Sequence, residues 1–345
     1  KTLSVFRKIN AILKFSTSTS EPLDMNNTSL SEADYLFMIE QAAKAPSGHN
    51  TQPWKFKLNQ NSIDIYPDFT KSLPVVDPDN RELFVSLGCA AENLCIAASH
   101  KGYQATVSID EINRVIQIQL AKQNGNTSSA LFPQLSARQT NRSVYNGKVI
   151  SDSHIESLKQ SDPEPGVKVY FFKNGTPEFD RVAELIDEGN RRQMQDKKFK
   201  AELQQWMRYN KKHQDATRDG LSYAVFGAPN LPRFIAKFII SQTLNEQSQN
   251  KRDRKNIASS SHFILFTTQN NTLEQWVNLG RTLERTLLKT TEMGISHAYM
   301  NPPNEIQELS KKMAQQLGII GEYPTILIRV GYGKKMPYSL RRSVG

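Results

Sequence analysis

The chain has 345 residues, 38% apolar and 23% charged, with 44 Lys and Arg against 34 Asp and Glu for a net charge of +10. That length supports one large domain or two coupled halves with a substantial core, and the composition excludes a collagenous or intrinsically disordered chain. No run approaches ~18 consecutive apolar residues, so no integral membrane segment is expected, and the basic excess calls for an anionic partner.

The amino end starts at Lys1 rather than Met, which reads as processing, truncation or renumbering. Residues 1–15 are basic and amphipathic and residues 16–29 are rich in Ser, Thr and Asn, so 1–30 reads as an extension and linker. A helix is predicted over 31–44, with Ser31 as its cap and an end imposed by Pro46. Residues 54–58 and 62–66 alternate and form a predicted hairpin. Residues 81–100 form a helix apolar on most sides, which marks it as buried. Cys89 and Cys95 lie six apart on it, about 120° apart around the axis, and read as two small apolar side chains rather than a disulfide. Short strands follow at 103–109 and 113–119, then a polar loop at 122–130. Beyond it come a helix at 152–160, a strand at 167–173 and a helix at 177–211. A mixed segment spans 212–258. A strand at 261–268, a helix at 272–293, an extended stretch at 295–300, a helix at 304–316 and a strand at 325–332 complete the chain. Helices and strands alternate, so the class is α/β or α+β.

An internal repeat is visible. Val85, Leu87, Gly88, Glu92 and Gly102 recur as Val277, Leu279, Gly280, Glu284 and Gly294, at a constant offset of 192. The reading is a duplication, with a first half at 31–135 and a second at 136–345. Two similar halves packed about a pseudo-two-fold axis can share a site at their seam.

Several chemistries lack their residues. The six histidines have no metal-ligand spacing, and there is no HExxH, CxxC, G-x-S-x-G or P-loop, so no metal site is expected. No helix-turn-helix, finger or RNP string accompanies the charge, so no nucleic acid is expected.

Three strings carry chemistry. Pro46-Ser47-Gly48-His49-Asn50-Thr51-Gln52-Pro53-Trp54 offers a hydroxyl, a flexible backbone and an amide that both donates and accepts. Such a loop suits the polar edge of a planar heterocycle; its plainer reading is a polar turn closed by a Pro-Trp wedge. Arg138-Gln139-Thr140-Asn141-Arg142 sets two guanidinium groups four residues apart, a spacing suited to a dianion. The carboxyl end runs from an apolar strand through Gly331-Tyr332-Gly333 to Pro337, Arg341 and Arg342.

Together these strings resemble the nitroreductase superfamily, and most of all its Acg-like, single-chain branch, over about residues 30–345. The resemblance implies an α+β sandwich of two fused pseudo-symmetric halves that binds FMN at the seam. It places Ser47, Gly48 and Asn50 on the flavin, with Gly48 where a second Ser is common. It places Arg138, Gln139, Thr140 and Arg142 on the phosphate and the pyrimidine edge. Met300 and Asn301 fall near the reactive edge, and Arg341 or Arg342 on the phosphate. Arg81 is a weaker candidate beside the ring. The implied activity is ping-pong hydride transfer from NAD(P)H through flavin N5 to an electron-poor acceptor, a nitroaromatic or a quinone, with no catalytic acid or base among the side chains. The alternative is a non-catalytic FMN storage protein, its lid supplied by the basic insertion at about 187–258 with Trp206, Tyr209, Tyr223 and Phe226. A fused pair predicts a monomer with one FMN. A cytoplasmic location is expected, with periplasmic export the alternative.

Overall fold

The computed structural model describes residues 30–123 and 128–344. The expected 1–30 extension, apart from Leu30, lies outside the described residues, as does part of the polar loop at 122–130.

The first layer starts with helix α1 (Glu32–Ala42), whose Ser31 cap accepts from the Asp34 amide at 3.1 Å. Strands β1 (Trp54–Leu58) and β2 (Ser62–Pro67) pair antiparallel. Helix α2 (Arg81–His100) follows, then β3 (Tyr103–Asp110) and β4 (Val115–Lys122). The sheet runs β1-β2-β4-β3. Ile63, Ile65, Ile116 and Ile118 point from one of its faces into the core shared with α1 and α2.

A short helix α3 (Gln134–Ala137) and helix α4 (Asp152–Lys159) lead to β5 (Val167–Lys173). Helix α5 (Pro177–Gln195) and α6 (Lys197–Trp206) replace the single helix expected over 177–211. The break is at Asp196, which ends α5 in an extended conformation and caps α6 by accepting from the Lys198 amide. The mixed segment resolves into β6 (Met207–Arg208), α7 (Lys211–Thr217), β7 (Leu221–Ser222), α8 (Arg233–Thr243) and α9 (Glu246–Ala258). Then come β8 (His262–Thr268), α10 (Leu273–Glu292) and β9 (Ser296–Tyr299). The chain ends in α11 (Pro302–Glu305), α12 (Gln307–Gln316) and β10 (Tyr323–Gly331), so the helix expected at 304–316 is also broken, at Ile306.

The second sheet runs β5-β8-β10-β9, all neighbours antiparallel. Its order in the chain is first-second-fourth-third, the order of the first sheet. It is covered on both faces. Ile264, Phe266, Ile326 and Ile328 join the α2–α10 core, while Phe263, Leu265 and Leu327 face α5 and α12. This alternation explains why β8 reads as a continuous apolar run rather than a striped one.

Helices α2 and α10 pack against each other at the centre. Gly88 and Gly280 make the contact. A Cβ on Gly88 would lie 2.2 Å from the Val277 carbonyl oxygen, and one on Gly280 would lie 2.1 Å from that of Val85. The contact is reciprocal, as in a self-complementary interface. Around it, Glu92 of α2 ion-pairs with Arg281 at 3.1 Å, and Glu164 with Arg281 and Arg285 at 3.1 and 2.6 Å. Helix α2 is the one helix among the described residues long and apolar enough to cross a bilayer, and it is buried inside the fold. The Cys89 thiol donates to the Gly280 carbonyl, and burial pushes the Cys95 thiol up to about 12. Neither is a reactive thiolate.

Candidate functional site

The loop at 46–54 turns sharply after α1. Residues 48–50 form one 3-10 turn, and His49, Asn50 and Gln52 take positive φ angles of 48°, 56° and 55°. Non-glycine residues seldom do so, and when they cluster they mark a site held in place by its surroundings. Here the surroundings are distant in sequence. The Asn50 amide nitrogen donates to the Gly220 and Leu340 carbonyls, both at 3.2 Å, and its oxygen accepts from Arg341 at 2.8 Å. The Gln52 amide donates to the Arg218 carbonyl at 2.9 Å and accepts from the Arg342 backbone at 2.8 Å. Ser47 Oγ accepts from the Gln52 amide at 3.0 Å. The loop is therefore knotted to the insertion and to the tail.

Under it lies a cavity of about 470 Å³, within the ~300–1,000 Å³ span of small-molecule sites. Its floor comes from α2 and the end of β9. Its roof comes from the insertion, through Asn190, Phe199, Phe226, Ile240 and Arg252. Seven of the residues expected at a site line it: Ser47, Gly48, Asn50, Thr140, Arg142, Asn301 and Arg341.

The other four lie beside it and have protein partners. Arg138 is buried, with Nε 3.2 Å from a Glu284 oxygen in an ion pair without hydrogen-bond alignment, and Nη2 donates to the Lys44 carbonyl at 2.8 Å. Gln139 bonds the Met336 backbone in both directions. Met300 packs among Phe179, Leu309 and Met313. Arg342 donates to the Thr51 and Gln52 carbonyls.

Arg142 is different. Its guanidinium rests over the Phe226 ring at 5.4 Å, and among the described residues it has no hydrogen-bond or ion-pair partner. Burial lowers its pKa to about 10. Arg341 anchors itself on Asn50 and on the Lys44 and Ala45 carbonyls, yet its Nε is buried without a partner. Burial, then the charge of Arg138, lowers its pKa to about 9. Unpaired cationic donors in a cavity fit an anionic ligand.

Sequence reasoning missed the opposite wall. Glu82 and Glu305 both line the cavity. The Asn301 amide donates to Glu82, and Gln193 to Glu305. Burial, then the charges of Glu305 and Asp77, pushes the Glu82 carboxyl up, and burial with the charge of Asp77 pushes up that of Glu305. His49 also lines the cavity with Nε2 unpartnered, and burial, then the Arg142 charge, lower its pKa to about 4 and hold it neutral. Tyr299 lines the cavity too. A signal for Glu82 existed: Glu82, Val85, Ser86 and Cys89 fall at i, i+3, i+4 and i+7, one face of α2, and all four line the cavity. Glu305 and Tyr299 had no such signal, because they reach the site through folding of the second sheet.

No family model matches the chain. Over 313 residues it is 23% identical to a protein of Mycobacterium tuberculosis called "putative NAD(P)H nitroreductase", covering 89% of this chain and 87% of that one. An uncharacterized protein of the same organism is 28% identical over 71 residues, 19% of this chain and 21% of its own. Among solved structures, a nitroreductase with bound FMN from Bacteroides fragilis aligns over 63% of this chain and 96% of its own, at 11% identity and a TM-score of 0.37. An FMN-dependent nitroreductase from Mycobacterium smegmatis in complex with NADPH aligns over 58% and 86%, at 13% identity and a TM-score of 0.36. The chain is thus similar, along nearly nine-tenths of its length, to a protein that bears a nitroreductase name.

Proposed function

We propose that the cavity holds FMN and that the chain is an NAD(P)H-dependent oxidoreductase of the nitroreductase type. The observation that carries this reading is the unpartnered Arg142 guanidinium beside the buried, unpartnered Arg341 Nε. A flavin phosphate is a dianion, and these donors with Thr140 and Ser47 are the chemistry it needs. The cavity volume and its mixed polar and apolar walls suit an isoalloxazine ring. When bound, FMN would supply two-electron chemistry between NAD(P)H and an electron-poor acceptor, a nitroaromatic or a quinone.

The chain's own residues do the rest. Arg142 and Arg341 hold and neutralise the phosphate and the pyrimidine edge, and Arg138 supports them from behind through its pair with Glu284. The roof residues Phe199, Phe226 and Ile240 add apolar surface over the cavity. Glu82 and Glu305 face the same space with raised pKa values, so one or both carboxyls keep a proton on the cavity wall where an ordinary Glu would have lost it. That proton is available to an acceptor seated against them.

We further infer that the chain is a duplication with a single site. The repeated strand order, the reciprocal Gly88–Gly280 contact and the recurrence of Glu92 as Glu284 support it. The boundaries remain 31–135 and 136–345, with the insertion at about 187–258.

Titration of the full chain with FMN, read by flavin absorbance and light scattering, tests both statements. The expected result is a monomer that takes one FMN, bleached anaerobically by NADH or NADPH and recoloured by a quinone. A chain that stays colourless with added FMN overturns the cofactor, and two flavins per chain overturn the single site. The roof that the insertion residues form over the cavity favours storage as a second reading. It is the better one if dithionite reduces the bound flavin and neither nicotinamide does.

A further inference from the structure

We propose that α8 docks the chain on the surface of an anionic phospholipid bilayer. Phe234 is 75% exposed and Phe238 65%, four residues apart on one face of α8, with Ile235 and Ile239 beside them also exposed. The remaining exposed large apolar residues among those described are scattered singly or in pairs, as is ordinary. The inner side of the helix is narrow. Ala236 is buried, and Ile239, at the edge of the exposed face, lines the cavity with Ile240 and Thr243. A helix whose largest apolar side chains point away from the body gains nothing from the fold for placing them there.

The charge around this face selects the occupant. α8 carries Arg233 and Lys237, again four apart, and no acidic residue. Neither cation has a hydrogen bond or ion pair among the described residues. Both line a surface groove of about 710 Å³ between α6 and α8, together with Tyr209, His213 and Phe234. Residues 191–255 hold 15 Lys and Arg against 6 Asp and Glu, which accounts for nearly all of the +10. Aromatic and aliphatic side chains flanked by cations are the pattern of a helix lying in a membrane interface, and each cation near an anionic leaflet adds attraction. A second copy of the chain would set Arg233 and Lys237 against like charge. So would residues 1–15, which contain four Lys and Arg and no acid.

Docking on this face brings the roof of the cavity to the bilayer, because Ile239 and Ile240 of the same helix line it. If the oxidoreductase reading holds, the acceptor class is then a lipid-soluble one, such as a quinone with an apolar tail. The docking itself does not depend on that reading.

Vesicle flotation of the full chain tests it, with phosphatidylcholine vesicles and with vesicles also containing phosphatidylglycerol. The expected result is binding to the anionic vesicles alone, weakened by added salt. F234S/F238S loses that binding, and R233Q/K237Q weakens it by on the order of tenfold, both with an unchanged circular dichroism spectrum and melting midpoint. The milder F238W gives a fluorescence blue shift with anionic vesicles that does not depend on the fold of the serine variant. No flotation with anionic vesicles, equal flotation with neutral ones, or full binding by F234S/F238S overturns the proposal. So does concentration-dependent self-association that F234S/F238S abolishes while vesicles stay unbound.

Discussion

Arg142 and Asn50 both border the cavity, and they are spent differently. Asn50 joins the loop to Gly220, Leu340 and Arg341, whereas Arg142 rests over the Phe226 ring with no hydrogen-bond or ion-pair partner among the described residues. R142Q is therefore expected to weaken FMN binding by about tenfold to a hundredfold while leaving the melting midpoint of the ligand-free chain unchanged or higher, since an unpaired buried cation is removed. N50A is expected to lower both, as read by flavin titration and differential scanning calorimetry. Glu305 gives a pH test. Its folded pKa lies above the unfolded value, so its contribution to stability is full below about pH 4.5 and is lost as the pH rises through the folded value. E305Q keeps an acceptor for Gln193 but cannot ionise, so it is expected to melt higher than the parent by about 2 °C or more at pH 8 and to match it near pH 4. A parent and variant with parallel midpoints across that range would refute the raised carboxyl. The polar strings made Ser47, Asn50, Arg142 and Arg341 legible in the sequence. Glu305 and Tyr299 were not, and Glu82 was marked only by its place on one face of α2, because what makes them unusual is burial, which only the packing of α2, β9 and α11 creates.

At the scale of elements, the crossing of α2 and α10 depends on two missing side chains. G280A would drive a methyl group into the Val85 carbonyl, and G88A would do the same at Val277. Either is expected to cost about 1–3 kcal/mol, seen as a lower melting midpoint. Because the two sites share one contact, the double variant should cost less than the sum of the singles. The repeat at an offset of 192 had pointed to both glycines. Most helices and strands were legible from periodicity to within a few residues, including the β1–β2 hairpin. The stretch at 177–211 misled, because its apolar spacing continues through Asp196 while the backbone does not. A residue that ends one helix and caps the next leaves no break in a helical pattern. The segment 212–258 was unreadable for a different reason: its short elements are shaped by the cavity they cover, through contacts such as that between the Gly220 amide and the Asn50 carbonyl at 3.1 Å.

For the whole molecule, the two sheets share one strand order, and the segment 191–255 stands apart from them by its charge. The basic excess that opened the question is largely a property of that one segment. The core is stabilised by ordinary burial, and the cations cluster where the cavity is roofed. A consequence follows from the way the loop at 46–54 is tied. Its strained conformation rests on Arg218, Gly220, Leu340, Arg341 and Arg342, all of which follow it in the chain, the nearest pairing 166 residues apart. Chains fold from the amino end as they are made, so the loop cannot take its final form until Arg342 has been made. A nascent chain stalled between Gly331 and Leu340 would carry both sheets and an open pocket, and limited proteolysis of the tail in the finished protein should return it to that state.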